Sequence, residues 1–328
     1  VNIDKNSLIV VTGAAGFIGS CVVAKLNEEG FANLIIVDHI GNSEKRRNLE
    51  KKRYKEYYDK TEFLEVLEAD QLPEKVGAVI HMGACSSTTL TDAEYYETNN
   101  FQYTQKLARW SLDRGIRFIY ASSAATYGVG EAGYKDDVET IRRCRPLNLY
   151  GSSKQKFDLY ALDHGWCDKM VGLKFFNVFG PNEYHKGEMR SVVAKSYKRV
   201  VEEGRISLFK SHVEDYADGE QKRDFVYVKD VVEVILFFLE HPEKNGIFNV
   251  GTGRAESWND LARALFKAVN KPVRIDYVEM PEQLRGKYQY FTQAAIDKLV
   301  AAGYRRPFTA LDDAVRDYAG YLKAQSRW

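Results

Sequence analysis

Cysteine is scarce in this chain: Cys21, Cys85, Cys144 and Cys167 lie far apart, with no Cys-x-x-Cys pair and no histidine cluster to complete a metal site. That spacing argues against both a zinc-type centre and a disulfide framework, and reduced, mostly structural thiols are expected. Cys85 stands in a Gly-Ala-Cys-Ser-Ser turn where a nucleophile could be displayed. No G-x-S-x-G-like elbow surrounds it, so it reads as a small loop residue. An excess of one charge is also missing, since 47 basic residues face 46 acidic ones for a net charge of +1. No global field draws such a molecule onto nucleic acid or a membrane, and any anion it binds must be held by a local site. No apolar run approaches a membrane-spanning length, and Val1–Ser7 lacks the basic start and apolar stretch of a secretory leader. A cytoplasmic protein with no nucleic-acid or membrane partner is therefore expected. Internal repeats, low-complexity tracts and flexible linkers are absent as well.

What is present is 328 residues, 45% hydrophobic, enough for one large core and a smaller lobe. Through the first half, apolar runs of strand length alternate with segments of helical period, the pattern of βαβ units around a parallel sheet. Leu8–Val11, Leu34–Val37, Ala78–His81, Phe118–Tyr120 and Val171–Phe175 are the clearest strands. A further strand falls at Tyr54–Tyr58, although Glu44–Leu67 around it is rich in helix formers. After Gly180-Pro181 the pattern changes to a helix near Ser191–Glu203, a strand at Ile206–Phe209 and a polar loop from Ser211 to Lys222. Phe225–Val228 and the apolar helix Val231–Leu239 read as a return to the first lobe. The division expected is one lobe of about 1–178 and 222–245, and a second of about 179–221 and 246–328, which includes Ile247–Val250 and Ser257–Val269.

The first strand runs directly into Thr12-Gly13-Ala14-Ala15-Gly16-Phe17-Ile18-Gly19 and then a helix. Glycines there let the chain turn tightly and approach a pyrophosphate, whose charge the free N–H groups at the helix start receive. Asp38 ends the second strand about 20 residues later, where a carboxylate meets an adenosine ribose. The fold class is thus α/β, a Rossmann-type doubly wound parallel sheet with a smaller α/β substrate-binding lobe. Asp38 alone favours NAD, because a carboxylate repels a 2′-phosphate, whereas Lys45-Arg46-Arg47 could neutralise that phosphate, so charge leaves NAD and NADP both open. Further on, Tyr150-Gly151-Ser152-Ser153-Lys154 places a lysine one helical turn after a tyrosine. An ammonium and an oxidised nicotinamide both favour the phenolate, so Tyr150 could accept a hydroxyl proton while Lys154 holds the nicotinamide ribose. Ser123, at the end of the strand that closes with Ala121-Ser122-Ser123, can hydrogen-bond the reacting oxygen.

Together, Gly13, Gly16, Gly19, Ser122-Ser123, Tyr127-Gly128 and the Tyr150/Lys154 pair resemble the extended short-chain dehydrogenases that modify nucleotide sugars. More narrowly, the chain resembles the ADP-L-glycero-D-manno-heptose 6-epimerase family over nearly its whole length. That match is carried by Gly83–Thr89, Ala121–Gly128, Phe176–Pro181, His185-Lys186-Gly187, Lys222–Val228 and Phe248–Ser257. The resemblance implies Tyr150 and Lys186 as two acid/base groups, with Lys154 and Ser123 supporting the tyrosine. It implies NADP, held by residues matching Gly16, Phe17, Ile18, Asp38, His39, Lys45, Lys60, the loop Met82-Gly83-Ala84-Cys85-Ser86, Asn99, Val178 and Lys186. An ADP-sugar would be contacted from Asn177, Phe209, Lys210, Ser211, Arg223 and Tyr288, with Arg223 as a pyrophosphate fork and Tyr288 as an aromatic wall. The resemblance further implies a homo-oligomer, pentameric in that family, and a product destined for bacterial lipopolysaccharide. Two departures stand out: Glu188 and Lys195 occupy substrate-contacting positions where that family has a small hydroxyl residue and a histidine. Ala14 replaces a glycine of the first turn at a position outside the three structural ones.

Other chemistries are weighed on the same residues. A 4,6-dehydratase needs an Asp-Glu pair just after the serine strand, and Ala124-Ala125 stand there instead. A 4-epimerase acting on another nucleotide sugar shares the Ser/Tyr/Lys set. A non-catalytic dinucleotide-binding scaffold would commonly lack the tyrosine or the lysine, and both are here.

Overall fold

The computed structural model describes residues 3–41, 44–72, 75–286 and 288–328, so Val1 and Asn2 of the expected leader-free start lie outside it. The chain begins with β1 (Leu8–Thr12), α1 (Phe17–Glu28), β2 (Leu34–Asp38), β3 (Glu56–Asp59), α2 (Lys60–Glu68) and β4 (Val76–His81). Next, α3 (Ala93–Tyr96) passes through a wider π-turn at Glu97–Gln102 into α4 (Tyr103–Asp113), before β5 (Arg117–Ser123), α5 (Val138–Arg143) and α6 (Leu149–Asp163). Then come β6 (Val171–Phe175), β7 (Asn177–Phe179), α7 (Val192–Glu203), β8 (Ile206–Phe209), β9 (Lys222–Arg223), β10 (Phe225–Tyr227) and α8 (Val228–Glu240). The chain finishes with β11 (Gly246–Val250), β12 (Glu256–Ser257), α9 (Trp258–Ala268), β13 (Ile275–Val278), α10 (Glu282–Arg285), α11 (Asp297–Ala301) and α12 (Leu311–Ala324).

Seven strands form one parallel sheet in the order β11-β6-β5-β4-β1-β2-β3. A parallel sheet is covered on both faces, which is why its strands read as unbroken apolar runs. The strand period of two divides each run between the faces. Ile9 and Val11 pack with α1 and α8 on one side, through Val22, Val231 and Ile235. Leu8 and Val10 pack with α2, α4 and α6 on the other, through Phe63, Leu107 and Phe157. Polar caps start the helices where the strands release the chain: Asp59 accepts from the Thr61 N–H, Asn148 from Gly151, and Ser257 forms a reciprocal box with Asp260.

Two expected placements change, and one strand takes a partner that the sequence left open. The strand near residue 56 and the helix formers around it coexist, because β3 is only four residues long and lies at the sheet edge between a 3₁₀ turn at Glu44–Leu49 and α2. Phe225–Tyr227 pairs in parallel with Asn177–Phe179 in a separate two-stranded ribbon, and α8 after it packs on α1 and β5. Gly246–Val250, expected in the smaller lobe, is instead the seventh strand of the main sheet, where Ile247, Phe248 and Val250 lie buried beside β6. The reason is α8, apolar enough to be buried against the sheet and able to act as the crossover that delivers β11 to β6. Outside that sheet, β8 pairs with β13 and β9 with β12, and α9 packs against α7 and α12.

Candidate active site

A cavity of about 740 Å³ opens at the C-terminal ends of the sheet strands, the end at which ligands enter open α/β sheets. Its floor is the turn between β1 and α1. Gly13 sits at φ +66°, and a Cβ there would come within 2.6 Å of the Gly83 nitrogen. A Cβ on Gly19 would lie 2.1 Å from the Gly13 carbonyl oxygen. The three glycines therefore let α1 start against β1 and leave the loop after β4 lying on the turn. Gly16, Phe17, Ile18 and Gly19 all face the cavity, as do Met82, Gly83, Ala84 and Ser86 of the β4 loop. This is a shape that admits a dinucleotide's pyrophosphate against main-chain N–H groups.

Asp38, at the end of β2, is 7% exposed. One of its oxygens accepts from the Ala15 N–H at 2.9 Å, and the other from the His39 N–H at 2.7 Å and the Lys45 ammonium at 2.8 Å. Asp38 and Lys45 both line the cavity. Under the floor, His81 is fully buried between the Thr12 and Thr104 hydroxyls at 2.6 and 2.9 Å. Burial and the nearby Lys154 push its pKa down to about 3, so it is a neutral packing residue.

The side wall is β5 with α6. Asn148 caps α6, and the helix lies so close to the turn after β5 that a Cβ on Gly151 would meet the Ala125 oxygen at 2.7 Å. That close approach sets the Tyr150 phenol near the Ser123 hydroxyl, whose oxygen also accepts from the Ala125 N–H at 3.1 Å. Burial raises the Tyr150 pKa, the Ser123 contact pulls it back down, and the Asp158 charge raises it. Lys154, 4% exposed, donates to the Ala121 carbonyl at 2.7 Å. Burial lowers its pKa to about 8 against an upward pull from Asp158. Ser123, Tyr150 and Lys154 thus share the cavity with the glycine turn.

The opposing rim comes from the segment after Gly180. Asn177 and Val178 of β7 face the cavity, and Lys186 enters from the 3₁₀ turn Tyr184–Met189, its ammonium 5.2 Å above the Phe17 ring. Burial lowers the Lys186 pKa and Glu183 opposes that. Glu188 and Lys195 are exposed rim residues, tied by a 3.2 Å bond from the Lys195 ammonium to the Glu188 carbonyl.

Other predicted residues stand off the cavity wall. His39 is exposed and its ring nitrogen lies 2.9 Å from Asp59, while the Lys60 ammonium is hydrogen-bonded to Asn99. Cys85 is half-buried, with its main chain held by Asn100 at 2.8 and 3.0 Å. Lys210 is paired with Glu279 at 2.8 Å, the Ser211 N–H donates to Asp218 at 2.8 Å, and Phe209 ends β8 beside them. Arg223 is 5% exposed, 5.0 Å from the Tyr288 ring and 5.8 Å from that of Trp258, and it donates to the Gln289 carbonyl. Trp258 and Gln289 do line the cavity, so Arg223 and Tyr288 stand directly behind its far wall. Among the described residues no carboxylate pairs with Arg223, a buried cation held by the Lys222 and Gln289 carbonyls and the two ring faces.

Several structural partners escaped the sequence reading. Asp158 lies two turns after Tyr150 on the same helix and is fully buried, accepting from Tyr120, Ser122 and Lys174 at 2.8, 2.7 and 2.6 Å. A lysine in the middle of the apolar run Val171–Phe175 was the available signal, since a strand buried on both faces tolerates it only with a carboxylate opposite. Asn100 joins the Cys85 loop to Ser153 of α6 at 2.9 Å. Among the described residues no cluster of histidine, cysteine and carboxylate groups could hold a metal, and no helix is long and apolar enough to cross a membrane.

A dinucleotide cradle facing a Ser/Tyr/Lys wall defines a class, and the chain belongs to the NAD-dependent epimerase/dehydratase family, whose model matches residues 9–251. That family sets a nicotinamide dinucleotide as the cofactor. Among named relatives, the ADP-L-glycero-D-manno-heptose-6-epimerase of Nitratidesulfovibrio vulgaris strain DP4 is 52% identical over 318 residues, 97% of this chain and 98% of the relative. That of Fusobacterium nucleatum is 48% identical over 331 residues, covering 98% and 100%. Among solved structures, the Helicobacter pylori ADP-L-glycero-D-manno-heptose-6-epimerase superposes with a TM-score of 0.80 at 27% identity, over 98% of each chain. The chain is accordingly similar to nucleotide-sugar epimerases from end to end of the sequence described.

Proposed function

We propose that this protein inverts the sixth carbon of ADP-D-glycero-D-manno-heptose, giving the L-glycero epimer, with NADP held in the cradle. One observation carries the reading: Ser123 and Tyr150, with Lys154 one turn on, line the same cavity as the glycine turn. The 52% and 48% identities to named 6-epimerases support the sugar. A nicotinamide dinucleotide, when bound, supplies transient oxidation and re-reduction of that carbon. Tyr150 takes the hydroxyl proton, with Ser123 stabilising the phenolate, and Lys154 adds a positive charge beside it. The stereocentre is lost when that carbon becomes a planar ketone. Rotation about its bond to the ring turns the carbonyl oxygen toward the other rim, where Lys186 handles the proton. Burial keeps the Lys186 ammonium a readier acid than a free lysine.

Lys45 favours NADP because its ammonium already neutralises Asp38, removing the repulsion that a bare carboxylate offers a 2′-phosphate. Arg223, buried and without a carboxylate, fits the substrate pyrophosphate behind Gln289. Turnover of Tyr150→Phe and Lys186→Met tests the scheme: each should fall by ~10²–10⁴, and full activity in both overturns the assignment of two proton-transfer groups.

A further inference from the structure

Away from the reacting groups, the side chains of Asn48 and His185 and the main chain of Asn182 form a polar junction no step of the reaction uses. Asn48 is 1% exposed and Asn182 fully buried. The Asn48 amide donates to the Ala15 carbonyl at 3.0 Å, to the Asn182 carbonyl at 3.0 Å and toward the His185 ring nitrogen at 3.3 Å. Ala15 belongs to the phosphate turn, and His185 is the residue before Lys186. One side chain therefore touches both the dinucleotide cradle and the loop that carries the second proton-transfer group.

We propose that Asn48 is a positioning residue that sets the Lys186 loop in register with the cradle, and that the segment 326–328 latches it. The inference rests on the proton role given to Lys186. Three features support it. The Asn48 oxygen accepts from the Arg327 guanidinium at 3.0 Å, and that guanidinium also reaches Glu44 at 3.0 Å and lies 4.9 Å over the Tyr184 ring. Asn182 sits at φ +76°, a left-handed conformation that asparagine tolerates better than most residues. Its amide group holds the Trp328 main chain from both sides, donating to its oxygen at 2.9 Å and accepting from its N–H at 2.8 Å. Finally, Asn48 and Lys45 are three residues apart in one 3₁₀ turn, where such side chains eclipse. Lys45, at the cradle, and Asn48, against the loop of Lys186, thus stand on one turn. His185 supports this wiring as a neutral acceptor, because burial and the Lys45 and Lys186 charges push its pKa to about 4.

Amide hydrogen exchange read by mass spectrometry, alongside steady-state kinetics, tests the assignment in the full chain with its bound dinucleotide. In Asn48→Ala, exchange over 184–189 should rise at least about tenfold while the amides of β1 and β5 stay as protected as in the parent. Its kcat should fall roughly 10- to 100-fold, as for lost supporting hydrogen bonds around other sites, with KM changed less than about threefold. Arg327→Ala, which leaves the cradle contact in place, should show the same pattern at reduced size, and it stands in should Asn48→Ala fail to fold. Unchanged exchange over 184–189 in the folded variants overturns the tie, and a rise there with kcat untouched overturns the positioning role. Exchange is read without turnover, so it decides the mechanical tie on its own. Full activity of Lys186→Met would sink the proton role and leave that tie to be judged by the exchange data.

Discussion

Lys154 should weaken the fold it serves. Its ammonium is buried beneath β5, and its pKa of about 8 lies below the ordinary 10.5 of a lysine in the unfolded chain. The unfolded state therefore binds more protons between those values, and the sign follows: stability rises with pH from about 8 to 10.5, and the penalty is complete below pH 8. The gap corresponds to ~3 kcal/mol. Lys154→Met removes it but leaves the Ala121 carbonyl without its 2.7 Å donor, a loss of ~1 kcal/mol. The net expectation is a variant more stable by ~2 kcal/mol at pH 6.5, with the gain shrinking to under ~1 kcal/mol at pH 9.5, and inactive at both. Urea unfolding followed by tryptophan fluorescence, on protein stripped of dinucleotide, measures the difference. A variant less stable than the parent at pH 6.5, or a difference that does not change with pH, refutes the argument.

Ser123→Ala should lower turnover at neutral pH by roughly 10- to 100-fold, the worth of a hydrogen bond to a charged group. Because Ser123 lowers the Tyr150 pKa, the ascending limb of the pH–rate profile should move to higher pH, which a kcat profile reads directly. Lys174→Met strands the buried Asp158 carboxylate and should cost about 3–5 kcal/mol in a denaturant titration. Gly19→Ala forces a methyl onto the Gly13 carbonyl, an overpacking of ~1–3 kcal/mol. Dinucleotide affinity, read by equilibrium dialysis, should weaken by about 10- to 100-fold.

The parts of the molecule that could be read from the chain are those governed by local pattern. The strand-turn-helix at Leu8–Gly19 and the tyrosine-lysine turn at Tyr150 each announce themselves within a dozen residues, and the cavity unites them. Long-range pairing was less legible. Nothing in Phe225–Tyr227 states that it will pair with β7 and not the main sheet, and Gly246–Val250 looks like any short apolar strand until α8 carries it to β6. The same limit applies to the buried polar groups. Asp158 and Lys174 are sixteen positions apart and meet only after α6 has packed on β5 and β6, while Asn48 meets Arg327 across nearly the full chain. His39, Lys60 and Lys210, implied as ligand contacts by the family resemblance, are hydrogen-bonded or paired with Asp59, Asn99 and Glu279.

If the proposed epimerisation runs through oxidation and re-reduction at one carbon, the hydrogen taken from that carbon is the one returned to it. Incubating the purified protein with ADP-D-glycero-D-manno-heptose in deuterium oxide and following the sugar by NMR tests it directly. Inversion at the sixth carbon with ordinary hydrogen retained there is expected. Deuterium at that carbon, inversion at the fourth instead, or an unchanged sugar would contradict it.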